Sequence, residues 1–360
     1  MRLEFGRRAY PPTMYSNRQM DALKLLQAFT AIPAPPGQEG ALADELERQV
    51  SSLGHTATRD AKGNVIVRLG ESKPRIVITA HMDEIAMLVL RIEPDGTLRV
   101  TSMGGLYPWK LGEGPVEILA QSGPIPGVLG FGSIHTNDSS SRAQQARERS
   151  LEWSLASVFT GLDAEALAKL GVRPGTRVVV ARSRRDIVHL GEFVSGYFLD
   201  DRADLVSWVL ALAQLGQSEH VLFAATAAEE VGGEGAQYLL HEVHPDICIA
   251  LELSPMVSDA PSILNASPSI WVNDSYSATA SGDLDLIAEV AASCDLPIQY
   301  QAFSRGGSDA SCAASKGLCA RPFTLGLPME NSHGFEIMHR DAMTQLTKLT
   351  VALIERLLRD

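Results

Sequence analysis

In the stretch HVLFAATAAEEVGGEGA, residues 220–236, an apolar run ends in two adjacent carboxylates, Glu229 and Glu230, followed by glycines. The run from Val221 to Ala225 reads as a short buried strand, and Gly232, Gly233 and Gly235 read as a tight turn into a helix. Acids in that position have two explanations. They form a solvated helix N-terminus, where the macrodipole favours negative charge, or they face the crevice beyond the carboxyl ends of the strands, where ligands of α/β sheets bind.

Other ionisable residues fall at comparable places. His81 and Asp83 end the strand RIVITAH, Asp200 and Asp201 follow VSGYFL, Glu252 ends ICIALEL, and His333 lies in the loop after RPFTLGL. Each alone has a structural explanation: a satisfied core histidine, an N-cap pair, a strand end facing solvent. Together they fall on one edge of the inferred sheet. Residues i and i+2 of a strand project to the same side, so Asp83 can reach back to the imidazole of His81. A carboxylate bonded to a histidine is a common support for a metal ligand. Imidazole nitrogens with carboxylate oxygens form the donor set expected for zinc, with cobalt or manganese suited to the same site. Five such groups exceed the needs of one tetrahedral ion. Two ions about 3.5–4 Å apart would use them, each taking one histidine and one terminal carboxylate and sharing an aspartate. One glutamate of the 229–230 pair is then free to act as a general base.

The elements that must position these residues alternate between helices and strands. Met20, Leu23 and Leu26, then Leu42, Leu46, Val50 and Leu53, recur at helical spacing on either side of TAIPAPPGQEG. RIVITAH is apolar on both faces, as an interior strand should be. From Ala86 to Glu192 short strand-like pieces such as MLVLRI, TLRVTS and TRVVVAR are separated by turn residues, which predicts an inserted barrel or sandwich. Within it, the polar segment 136–150 reads as a mobile loop. From Phe193 the α/β texture resumes, through DRADLVSWVLALAQL to a final helix at AMTQLTKLTVALIERLL. The expectation is an α/β fold with a helix-covered mixed sheet, formed by residues 1–85 and 193–360, carrying an inserted β-barrel domain at 86–192.

A length of 360 residues with 45% hydrophobic content supports a full core and more than one domain. The net charge of −12 argues against nucleic acid or an anionic membrane as partner and favours cations as guests. No apolar run approaches the length of a membrane helix, and MRLEFGRRAYPPTMY lacks the apolar centre of a signal peptide, so a cytoplasmic location is expected. Cys248, Cys294, Cys312 and Cys319 form no CxxC pair and read as reduced, buried thiols.

The segments HMDE at 81–84, LDDR at 199–202, EEVGGEGA at 229–236, GGSDA at 306–310 and LPMENSHGFE at 327–336 resemble the tetrahedral aminopeptidases. These are the glutamyl, leucyl and lysyl aminopeptidases among the dinuclear-metal exopeptidases, a group that also contains proteins called endoglucanases. The order of motifs and the β-rich insert both match, so the resemblance covers nearly the whole chain. It implies a zinc-exopeptidase fold with His81, Asp200, Glu230, Glu252 and His333 as ligands of two divalent metals. Asp200 would bridge, Glu229 would be the general base and Asp83 would orient His81. Water would attack a peptide carbonyl polarised by the metals, and one metal would also receive the free α-amine of the substrate, as an exopeptidase requires. The resemblance also implies short peptides as substrates and a homo-oligomer, from dimer to dodecamer, assembled through the insert.

Two departures from the family pattern stand out. Glu252 replaces the usual aspartate and is one methylene longer. Met329-Glu330-Asn331-Ser332 precede His333 where an Arg-Tyr pair is usual, in a loop expected to border the substrate pocket. GGSDA also reads as a helix start capped by Asp309. Competing functions are a metallo-deacylase or amidase acting on small N-acylated peptides, of the kind tied to osmoprotectants, and a catalytically silent assembly protein. The intact Glu229 argues against silence. A glycosidase would use two carboxylates but has no need of His81 and His333.

Overall fold

The computed structural model describes residues 20–359; the polar leader and the segment MRLEFGRRAYPPTMY lie outside the described residues. A mixed sheet of eleven strands forms the centre. Its middle strands, Val221–Thr226, Ile76–His81, Ile247–Pro255 and Arg321–Glu330, run parallel in that spatial order, and antiparallel strands flank them on both sides. Parallel strands are covered on both faces, which is why IVITAH and VLFAAT are buried at every position.

On one face pack the helices Ala22–Thr30, Gly40–Ser52, Leu199–Gln214, Ser281–Ser293 and Ala342–Leu357, around Phe29, Leu46, Trp208 and Leu349. On the other face Glu234–Val243 and Asp309–Ser315 cover Val77, Leu222 and Ala250. The helix Leu199–Gln214 is buried almost all round, Arg202, Asp204 and Ser207 included, because it sits between the sheet and the C-terminal helix. None of the described helices is long and apolar enough to cross a membrane.

The inserted strands, from Ala86–Ile92 to Arg177–Val180, close into a six-stranded barrel with its own core of Met87, Val100, Ile118 and Val178. Closure removes the exposed edges that so short a sheet would otherwise present. The polar segment 136–150 differs from the loop expected of it: Arg142–Glu148 is a helix. Ser141 caps it, accepting from the Gln144 amide at 3.1 Å, and the Gln144 side chain donates to Glu148 one turn on at 2.8 Å. Capping and i,i+4 pairing stabilise a helix whose sequence has no apolar stripe to announce it. All four cysteines are free; Cys248, Cys312 and Cys319 are buried, whereas Cys294 is only half-buried because it stands at a helix end.

Candidate metal centre

The sheet topology explains how residues distant in sequence meet. Thr226 and His81 are in register on neighbouring parallel strands, so the turn after Thr226 lies beside the chain after His81. Glu252 comes from the next strand, which continues past it to Pro255, in register with Met329 of its partner Arg321–Glu330. Asp200 follows Phe198, whose φ of 62° turns the chain sharply, and the Asp200–Asp201 peptide is cis. His333, with φ 61°, sits in the tight turn between Arg321–Glu330 and Phe335–His339.

Two groups of donor atoms result. His81, Asp200, Asp201 and Glu252 bring one atom each within 4.8 Å of one another, and so do Asp200, Glu230 and His333. Asp200 belongs to both. Its Oδ1 lies 3.1 Å from His81 Nε2 and its Oδ2 lies 3.3 Å from His333 Nε2. Glu230 Oε1 is 3.7 Å from the same His333 nitrogen. Glu229, on the same turn, belongs to neither group.

The histidines show what these groups suit. His81 Nδ1 is 3.0 Å from the Asp83 carbonyl and His333 Nδ1 is 3.1 Å from the Gly105 carbonyl. A nitrogen beside a carbonyl must carry the proton, which in a neutral ring leaves the Nε2 lone pair facing a carboxylate. Only positive charge at Nε2, from a proton or a cation, relieves that repulsion. Burial opposes charging of His81, yet Asp201, Asp200 and Asp83 outweigh it and hold the imidazole well above its usual range. Burial also works against ionised Asp200, but the two histidines hold it well below the usual carboxylate range. Glu252 is driven well upward by burial and by Asp200, and Glu230 is pushed up to about 7 by burial, with Asp200 adding to it. Burial, then Asp309 and Glu230, raise Glu229 well above its ordinary value.

No lysine or arginine among the described residues bonds to Asp200, Asp201, Glu229, Glu230 or Glu252. Two like charges about 4 Å apart repel by about 4 kcal/mol even at an effective dielectric of about 20. Imidazole nitrogens and carboxylate oxygens in two groups sharing one carboxylate therefore fit a pair of divalent cations.

Second contacts hold the donors in place. Four successive amides of the turn after Thr226 are each held by a side-chain oxygen. Ala227 N–H donates to Asn64 Oδ1 at 2.9 Å and Ala228 to Glu39 Oε1 at 3.2 Å. Glu229 and Glu230 donate to the two oxygens of Asp83 at 2.8 and 3.0 Å. Asp83 thus meets His81 chiefly through its carbonyl, its carboxylate being 3.5 Å from that ring and engaged by the turn. Gly235 is required beneath: a Cβ there would lie 2.2 Å from the Ala227 carbonyl and 2.4 Å from Asn64. Glu336 joins the other side, accepting from the amides of His333 at 2.8 Å and Asp200 at 3.0 Å. Asp201 accepts from the His81 amide at 2.6 Å.

Sequence reasoning gave no role to Asn64, Glu39 or Glu336, since none of them bears a spacing that marks it, and it offered Asp201 only as half of an N-cap pair, whereas the N-cap is Phe198. The cap of the GGSDA helix is Ser308, not Asp309. Ser308 is extended and forms a capping box with Ser311, whereas Asp309 is already helical, buried, and accepts from Thr226 Oγ1 at 2.6 Å. In the loop before His333, Ser332 lines the cavity while Met329 is fully buried in the core.

Glu84, next to Asp83, is fully buried between two arginines. Arg185 grips it with both arms at 2.5 and 2.9 Å, and Arg202 bonds it at 2.7 Å while also donating to the Met82 carbonyl. Arg185 belongs to the chain leaving the barrel, so this network ties the insert to the metal-side turn. Glu84→Gln leaves two buried guanidiniums short of countercharge. The expected result is a loss of about 3–5 kcal/mol of stability, read as a lower denaturant midpoint; an unchanged midpoint would refute the role.

The comparisons with known proteins agree with this geometry. A profile of the M42 glutamyl aminopeptidase family matches residues 63–349. The chain is 28% identical over 309 residues to a lysyl aminopeptidase of Pyrococcus furiosus, covering 83% of this chain and 86% of the relative. To a glutamyl aminopeptidase of Lactococcus lactis it is 27% identical over 245 residues, covering 66% and 67%. Among solved structures, the TET1 peptidase of Pyrococcus horikoshii superposes with a TM-score of 0.82 at 28% identity, covering 92% of this chain and 99% of that one. The protein is therefore a peptide hydrolase and belongs to the M42 glutamyl aminopeptidase family.

Proposed function

We propose that this chain is a dinuclear metal-dependent aminopeptidase that removes N-terminal residues from short peptides. One observation carries the reading: Asp200 stands between His81 and His333 with one oxygen toward each Nε2, at 3.1 and 3.3 Å. His81, Asp200 and Glu252 would hold one cation, and Asp200, Glu230 and His333 the other. The donor set favours zinc, with cobalt and manganese as alternatives. Divalent cations held there would polarise a peptide carbonyl oxygen and lower the pKa of water.

The chain's own side chains supply the rest. Glu229 takes the proton of the attacking water and returns it to the leaving amine. Burial and the neighbouring Asp309 and Glu230 raise its proton affinity above that of a free glutamate, which suits a proton acceptor. Asp83 holds the Glu229 amide and so fixes the carboxylate's approach. Glu230 and Glu252 keep this end of the cavity acidic, which favours a free α-amine over an N-acylated end.

A homo-oligomer accompanies this reading. The P. horikoshii relative assembles into a tetrahedron or a large octahedral shell, and the barrel here exposes Val128 and Phe159, paired side by side on adjacent strands at 52% and 66% exposure. The buried free thiols fit the reducing cytoplasm. Treatment with a chelator should abolish hydrolysis of aminoacyl anilides, and zinc, cobalt or manganese should restore it. Activity undiminished after metal content falls to zero would remove the proposal, and cleavage of N-acylated amides in preference to free amines would replace it with a deacylase.

A further inference from the structure

The cavity of about 560 Å³ that holds the metal-side residues extends away from them along a wall of different character. Leu253 and Val257, from the same stretch of chain as Glu252, face it together with Trp271, Tyr276 and Phe303. Trp271 and Phe303 meet edge to face with ring centroids 4.7 Å apart, and with Ala260 and Val257 they form a small apolar cluster separate from the main core. The indole is locked, since its Nε1 donates to buried Ser254 Oγ at 2.8 Å. Gly326 beneath admits this arrangement, because a Cβ there would lie 2.0 Å from that Ser254 oxygen. Tyr276 is likewise seated on bare backbone: a Cβ on Gly307 would come 2.4 Å from its ring.

Building on the aminopeptidase reading, we infer that this wall receives the side chain of the substrate's N-terminal residue and selects large apolar or aromatic ones. The charged groups of the lining decide little. Asp259 and Arg305 are both exposed, and Asp259 already accepts from Ser304 Oγ at 3.1 Å. Exposed charges in water contribute weakly to recognition, whereas a large apolar side chain leaving water for a preformed apolar pocket gains on the order of tenfold to a hundredfold in binding. No buried charge stands on the wall to neutralise a lysyl or glutamyl terminus, so either would lose hydration without compensation.

The test uses the full-length protein loaded with zinc, cobalt or manganese and a panel of aminoacyl anilides. Leucyl and phenylalanyl substrates should exceed glutamyl and lysyl ones in kcat/KM by about tenfold or more. Phe303→Ala should lower leucyl and phenylalanyl turnover more than alanyl turnover. Val257→Asp, which puts a carboxylate on the wall, should lower leucyl and raise lysyl hydrolysis; a gain of that kind cannot come from misfolding. Preference of the wild type for glutamyl or lysyl anilides, or equal loss on all substrates in both variants, would overturn the inference and leave the aminopeptidase reading standing. Absence of hydrolysis of every anilide with every metal would overturn both.

Discussion

Glu229→Gln lowers kcat by about 10²–10⁴-fold and leaves the metal content of the protein at its wild-type value. The substitution keeps the shape of the side chain and the amide bond to Asp83 at 2.8 Å, while removing the lone pair that takes a proton from water. Glu229 lies outside both groups of donor atoms, so the cations keep their ligands. KM changes little, because the interaction removed is made only as the proton moves. Metal analysis beside steady-state kinetics separates the alternatives. A parallel fall in bound metal would make Glu229 a ligand, and full activity would assign the base to another residue.

Asp200→Ala has a different signature. Its carboxylate is the one member common to both donor groups and faces both histidines. Its removal takes away the shared ligand and leaves His81 and His333 opposite an emptied position. Both cations should be lost together, and kcat/KM should fall on the order of 10³-fold or more, since several kcal/mol of charge stabilisation disappear with them. Glu252→Ala touches only the first group and His333→Ala only the second, so each should retain part of the metal that Asp200→Ala releases. Equal stoichiometry in all three variants, measured by elemental analysis after dialysis, would contradict a bridging role.

Much of this was legible in the chain because the signals were local. RIVITAH, VLFAATA and ICIALEL are continuous apolar runs, so their place in the middle of a parallel sheet followed from composition. His81, Glu229 and Glu230 were legible at or just past strand ends and His333 in the loop after its strand, whereas Glu252, expected to end its strand, lies three residues inside Ile247–Pro255 and Asp200 falls in the first turn of Leu199–Gln214. The motifs around them pointed to the family that the profile over residues 63–349 identifies. The helix Arg142–Glu148 was missed because capping and side-chain pairs hold it without an apolar stripe. The cap at Ser308 was misassigned because Ser and Asp serve equally well in sequence, and only the backbone conformation tells which one precedes the helix.

By itself, then, the sequence determined the main apolar strands and amphipathic helices, that they alternate around a β-rich insert, and which ionisable residues lie near the ends of the central strands. Tertiary structure alone decided that one carboxylate of Asp200 faces two histidines, that Asn64, Glu39 and Asp83 share out the amides of one turn, and that Trp271 and Phe303 wall the adjoining cavity. The physical reason is range. Periodicity and propensity act within a few residues, whereas contacts such as Asp200 to His81, or Asn64 to Ala227, join positions more than a hundred residues apart and arise only when strand order and register bring them within hydrogen-bonding distance.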